Sequence, residues 1–189
     1  MTTSKRSKTP KRRARKSRPQ DAITLLEADH VEARAALRTL KESTERAVDK
    51  RTRVRADVAL ALWTHMFIEE TLFYPAYAEA GRSSDDEVRG IEARAEHDAA
   101  KTALMRLEAC SPASTEFRAM AKVVFDLIDH HAGEEEDEMF PRARKLIHED
   151  VLIALGEQMK ARKEELMQSG ETPARPTDAP RDLALDLGA

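Results

Sequence analysis

Apolar residues recur along this chain at three- and four-residue intervals, and no stretch alternates with the two-residue period of a half-buried strand. The pattern predicts four long helices and one shorter one. The first runs from about Asp21, an N-cap candidate, to about Val48, with Ile23, Leu26, His30, Leu37 and Leu40 on one stripe. The second runs from about Thr52 to Ala80, with Val58, Leu62, His65, Ile68 and Leu72 inward and Gly81 as its stop. Ser84-Asp85-Asp86-Glu87 has capping-box spacing and opens the third, which carries Ile91, His97, Leu104 and Leu107. Ser111-Pro112 is a cap followed by a proline at the first helical position, opening the fourth through Met120, Val124, Leu127 and His131. A fifth spans about Glu149 to Met167, with Gly156 a weak point in its continuity.

The connections between the four main helices are short, which favours antiparallel neighbours and an up-down-up-down bundle. The predicted class is therefore all-α, a four-helix bundle over residues 20–148 with an additional C-terminal helix over 149–168. Pro75 and Pro141 fall well inside the second and fourth helical patterns. A proline removes a backbone donor and crowds the preceding turn, so each should kink or end its helix about two turns past a histidine.

Composition changes this picture at the ends. Residues 1–19 hold nine Lys or Arg and no acid; taking those nine charges from a net of −3 leaves the remainder near −12. Such a segment is too polar to bury a core and is expected to be a disordered arm. It lacks the apolar run of a signal peptide, and counterion release would let it associate with nucleic acid or an anionic surface without sequence preference. Residues 169–189, rich in Pro, Asp and Ala, are expected to form a second disordered tail. No apolar stretch approaches the roughly 18 residues needed to cross a bilayer. The single cysteine, Cys110, precludes an internal disulfide, fits a cytoplasmic setting, and is expected to be a small residue at a helix end.

The chemistry lies in a repeat. His65 is followed by Glu69, Glu70 and Tyr74-Pro75; sixty-six residues on, His131 is followed by Glu135, Glu136 and Phe140-Pro141. A lone histidine precedes each unit, His30 and His97. Residues four apart share a helix face, so His65 with Glu69 and His131 with Glu135 can each direct an imidazole and a carboxylate at one point. Gathering the four inward faces places four imidazoles and two carboxylates in one small volume of the bundle core. Two ionised glutamates there would be costly unless paired, and no lysine or arginine is evidently aimed at them. Two divalent cations remove that cost. A mixed nitrogen and oxygen set suits iron better than calcium or magnesium, and the lack of cysteine argues against a closed zinc site. Glu70 and Glu136 are expected off the axis, orienting ligands or facing solvent. His130 is out of register and expected near the surface; His148 lies beyond the site; Trp63 and Phe67 are expected to pack.

With His30, His65-x-x-x-Glu69-Glu70, His97 and His131-x-x-x-Glu135-Glu136, the chain resembles the hemerythrin superfamily, in particular the hemerythrin HHE cation-binding domain, over about residues 20–148. The resemblance implies a non-heme di-iron centre, oxo- or hydroxo-bridged, with Glu69 and Glu135 bridging. It also implies His30 and His65 on one iron and His97 and His131 on the other. Two positions depart from the oxygen-carrying members. Lys101 stands where they place a further histidine. Glu136 stands where they use an aspartate, and here a glutamate falls at the four-residue spacing instead. Fewer protein donors leave open positions for O2, NO or peroxide and favour sensing or redox reactivity over reversible oxygen carriage. The leading expectation is a protein that binds or senses O2, NO or iron. The alternatives are a ferroxidase- or peroxide-consuming oxidoreductase at the same centre, and a nucleic-acid-associated module acting through residues 1–19.

Overall fold

The computed structural model describes residues 20–170 and 172–173, and those residues are helical without strands. The basic arm expected at 1–19 and most of the tail expected at 169–189 lie outside the described residues. The elements are α1 (Ala22–Lys41), α2 (Val48–Ile68), a π turn (Glu69–Phe73), α3 (Tyr74–Ala80), α4 (Ser84–Ala109), α5 (Thr115–Glu134), a second π turn (Glu135–Met139), α6 (Phe140–Leu146) and α7 (Glu149–Ser169). The α2–α3 and α5–α6 pairs each form one rod, so α1, α2–α3, α4 and α5–α6 make the expected four-helix bundle. In it α1 packs on α2 and α5, and α4 packs on the same two. The fifth helix, α7, lies against α1 and α2.

Local chemistry sets the boundaries, and several differ from the sequence reading. Asp21 caps α1 as expected, accepting from the Thr24 amide at 2.9 Å. The helix stops at Lys41, short of Val48, because Ser43 and Arg51 take over its last carbonyls and the loop beyond. Arg51 is fully buried and donates to Ser43 O and Pro112 O at 2.7 Å each, tying two loops at one end of the bundle. Ser83, one residue before the expected Ser84, forms the capping box with Asp86. Ser114 rather than Ser111 caps α5, since Ser111–Ser114 is itself a hydrogen-bonded turn.

The prolines do not end their rods. Ahead of each, one turn widens to the π form, and the amides of Tyr74 and Phe140 bond five residues back to Glu69 O and Glu135 O. The extra residue absorbs the position where the proline ring would meet a carbonyl.

Two apolar layers sandwich a polar one. The first includes Leu37, Leu40, Leu62, Trp63, Leu107 and Phe117; the second includes Ile23, Leu26, Phe73, Tyr77, Phe140 and Leu152. Each such side chain contributes roughly 1.5–3 kcal/mol by leaving water, which offsets the cost of the ionisable groups between the layers. Ile91 corrects the expected stripe of α4: it is 61% exposed, and Ala93 and Ala100 flank His97 on the buried face instead. Six residues of helix carry Ile91 well round from His97, whereas steps of three and four stay on its face. Gly156 does not interrupt α7. A Cβ there would lie 2.6 Å from Gln20 O and Ala22 N, so glycine is what lets α7 close on the start of α1.

Candidate metal centre

His30 comes from α1, His65 from α2, His97 from α4 and His131 from α5, and all four are buried. Glu69 and Glu135 each open a π turn, so the carboxylates stand at the point where the two rods change register. The structure brings all six of these residues together. It leaves His148 outside, as the N-cap of α7, and puts His130 at the surface between Glu96 and Glu134 at 3.3 Å each.

The imidazoles form two pairs. His30 Nε2 is 3.1 Å from His65 Nε2, and His97 Nε2 is 2.9 Å from His131 Nε2. Each carboxylate spans both pairs. Glu69 Oε2 is 3.2 Å from His65 Nε2 and 3.3 Å from His97 Nε2, while Glu135 Oε2 is 3.3 Å from His30 Nε2 and 3.5 Å from His131 Nε2. His30, His65, Glu69 and Glu135 form one set able to hold a metal ion, and Glu69, His97 and His131 a second.

The opposite ring nitrogens fix the tautomers. His30 Nδ1 lies 2.8 Å from Glu136 Oε1, His97 Nδ1 2.7 Å from Glu70 Oε1, and His131 Nδ1 2.8 Å from Glu96 Oε2. His65 Nδ1 faces Asp29 Oδ2 at 3.5 Å. A carboxylate only accepts, so each bonded Nδ1 carries the proton and the paired Nε2 lone pairs point inward. Glu70 and Glu136 thus hold imidazole rings in place, and each serves a histidine from the other half of the repeat. Lys101 donates to Glu70 at 2.6 Å and Arg34 to Glu136 at 2.7 Å. Lys163 pairs with Asp29.

Electrostatics decide whether cations fit. Among the described residues, Glu69 Oε1 and Oε2 and Glu135 Oε2 are buried with no hydrogen-bond donor. The histidine nitrogens lie 3.2–3.5 Å from Oε2 of the two glutamates without satisfying Glu69 Oε1, Oε2 or Glu135 Oε2. Burial and the neighbouring Glu135 push the Glu69 carboxyl well above the ordinary range. Glu135 moves down despite burial, because His131 and His30 face it. Burial lowers His97 to about 4 against the pull of Glu70, which keeps its ring neutral and fit to bind a cation. Against its burial, Glu135 and Glu96 push His131 up. Ring nitrogens turned inward beside orphaned carboxylate oxygens are what a metal site requires.

Four partners escaped the sequence reading, though a signal for them exists. Each lone histidine follows an acid, Asp29-His30 and Glu96-His97, and each is followed four residues on by a base, Arg34 and Lys101. Tyr74 was also missed: its hydroxyl enters the centre, 2.9 Å from Glu135 Oε1.

Comparison with known proteins agrees with this geometry. The family model of the hemerythrin HHE cation binding domain matches residues 21–143. The chain is similar to the crystal structure of a hemerythrin HHE cation binding domain-containing protein from Mycobacterium kansasii, with 26% identity and a TM-score of 0.68 over 79% of this chain and 88% of that one. No curated protein matches the chain.

Proposed function

The chain belongs to the hemerythrin HHE cation-binding domain family, and on that premise we propose that it is a non-heme di-iron protein that binds or senses O2 or NO. The observation that supports this reading is the pair of buried carboxylates, with three oxygens lacking donors, each carboxylate in reach of one histidine from both pairs. His30 and His65 would hold one iron, His97 and His131 the other, with Glu69 and Glu135 shared. When bound, iron supplies a redox-active Lewis acid with positions open to a small ligand.

The chain's own residues do the rest. Asp29, Glu70, Glu96 and Glu136 hold the rings in place through Nδ1. The apolar layers on either side keep bulk water from the lone pairs. A cavity of about 260 Å³ between α1, α2 and α7 reaches His65; Ala33, Ala36, Ala61 and Leu62 line it together with the charged Asp29, Glu32, Asp57 and Lys163. No described helix is long and apolar enough to cross a membrane.

A second reading, ferroxidase or peroxide turnover at the same centre, is favoured by a narrow cleft on another side. Glu92, Glu96, Glu134, Glu135 and Glu138 line it with Arg89, which pairs with Glu138, and the acidic excess attracts cations such as ferrous iron.

The test is an anaerobic ferrous titration followed by air or NO, watched by ultraviolet-visible absorption. Saturation near two irons per chain, with new near-ultraviolet bands on exposure, is the expected result. Saturation at one or none, with no spectral change, would refute it. Consumption of ferrous iron or peroxide beyond the bound stoichiometry would move the assignment to the enzymatic reading.

A further inference from the structure

The second half of the repeat carries a further His-x-x-x-Glu pair that the first half lacks. His130 and Glu134 stand one residue ahead of His131 and Glu135 on α5, about 100° round the same helix. Sixty-six residues earlier the matching positions are Thr64 and Ile68, both buried, which offer neither imidazole nor carboxylate. His130 Nε2 lies 3.3 Å from Glu134 Oε1 and 3.3 Å from Oε1 of Glu96, which comes from α4.

We infer that Glu96, His130 and Glu134 form a third site, for a divalent first-row cation, on the exposed side of the acidic cleft and outside the buried centre. Their separations exceed the roughly 2.7–2.9 Å of a charge-assisted hydrogen bond. They fit a shared cation instead, since donors each roughly 2.0–2.2 Å from one metal lie roughly 3.0–3.5 Å apart. The nitrogens and carboxylate oxygens of the buried centre show the same spacing, 3.2–3.5 Å.

Charge points the same way. Three of the four acids behind the buried imidazoles are held by a lysine or arginine: Glu70 by Lys101, Glu136 by Arg34 and Asp29 by Lys163. The fourth, Glu96, gives Oε2 to the His131 ring and turns Oε1 to His130. Among the described residues no lysine or arginine pairs with it. The same cleft is lined by Glu135, whose Oε2 is buried and accepts no hydrogen bond. A cation there meets carboxylate oxygens that no protein cation has neutralised.

One imidazole with two carboxylates suits ferrous iron, manganese or zinc better than calcium, which takes oxygen donors. Three donors open to solvent hold a cation more weakly than the buried positions, so the third site fills after them at equilibrium. During loading it serves as an entry point, because Glu96 touches both this site and the His131 ring. The entry role rests on the di-iron reading above; the site itself does not.

The experiment uses the full chain and anaerobic ferrous iron, measured by equilibrium dialysis and by anomalous diffraction from iron-soaked crystals. Two tight irons and a weaker third are expected, the third giving a peak between Glu96, His130 and Glu134. His130→Ala and Glu134→Gln change side chains that are 64% and 49% exposed, so the fold tolerates them. Both should lose the third iron and keep the other two. Both should also fill the buried centre several-fold more slowly, timed against a chromogenic ferrous chelator. No third iron, or one that survives both substitutions, overturns the inference, and an unchanged filling rate overturns the entry role. A His130-dependent iron without the two tight ones overturns the di-iron reading alone.

Discussion

Replacing Glu69 with glutamine separates what this carboxylate does to the fold from what it does for the metal. In the metal-free chain Glu69 is fully buried and both oxygens lack a donor. Oε2 lies 3.2 Å from His65 Nε2 and 3.3 Å from His97 Nε2. A glutamine amide in that place donates to the facing ring nitrogens and carries no titratable proton. A buried group left unsatisfied costs about 1–3 kcal/mol, so the metal-free variant should be more stable by about that amount. For a domain of this size each kcal/mol moves the melting temperature by roughly 2–4 °C.

The sign with pH follows from the carboxyl's upward shift. A raised folded-state value means that the native chain holds this proton more tightly than the unfolded chain does. The contribution is fully present below the ordinary value of 4.5 and is lost as pH rises through the raised one. Stability of the metal-free native chain should therefore fall over that window, and Glu69→Gln should lack this part of the slope. On the di-iron proposal the ranking reverses with iron present, because the carboxylate proposed to be shared is gone. At iron a thousandfold above Kd, the native chain gains about 4.1 kcal/mol that the variant loses, more than the variant's metal-free advantage. Thermal denaturation followed by circular dichroism, with chelator and with anaerobic ferrous iron, reads both effects. A metal-free variant that melts below the native chain, or one that binds as much iron, would refute the reasoning.

Lys101→Met removes the cation that holds Glu70 against His97, at 2.6 Å. Loss of such an outer partner should weaken iron binding about 10–100-fold, read by ferrous titration, with the helical content unchanged. Gly156→Ala forces a methyl to within 2.6 Å of α1 backbone atoms, so the urea midpoint should fall by the equivalent of about 1–3 kcal/mol. Arg142 donates to both oxygens of Asp86, at 2.8 and 2.9 Å, and together with Ser83 holds that carboxyl well below its usual value. The resulting stability is present above the ordinary carboxylate range and lost as acid titrates the lowered group. Arg142→Met should therefore melt below the native chain at neutral pH, with the gap closing in strong acid.

Four of the bundle's histidines and both inward glutamates were legible in the sequence because covalent geometry settles them. Residues four apart on a helix share a face wherever the helix is placed, so His65 with Glu69 and His131 with Glu135 needed no tertiary information. The duplicated spacing then pointed to one shared volume, and the apolar period was enough for the bundle. What lay beyond was decided by the packed fold. That Glu136 serves His30 and Glu70 serves His97 depends on the rotation and height of separate helices, which local spacing does not encode. Ile91 kept the composition of a core residue, yet the roll of α4 turned it to solvent in favour of Ala93 and Ala100. Tyr74 shows the physical reason most directly. Nine residues of regular α-helix would carry it to roughly the opposite face from His65. The π turn at Glu69–Phe73 takes up one residue, leaves Tyr74 within roughly a quarter turn of that face, and brings its hydroxyl to the centre.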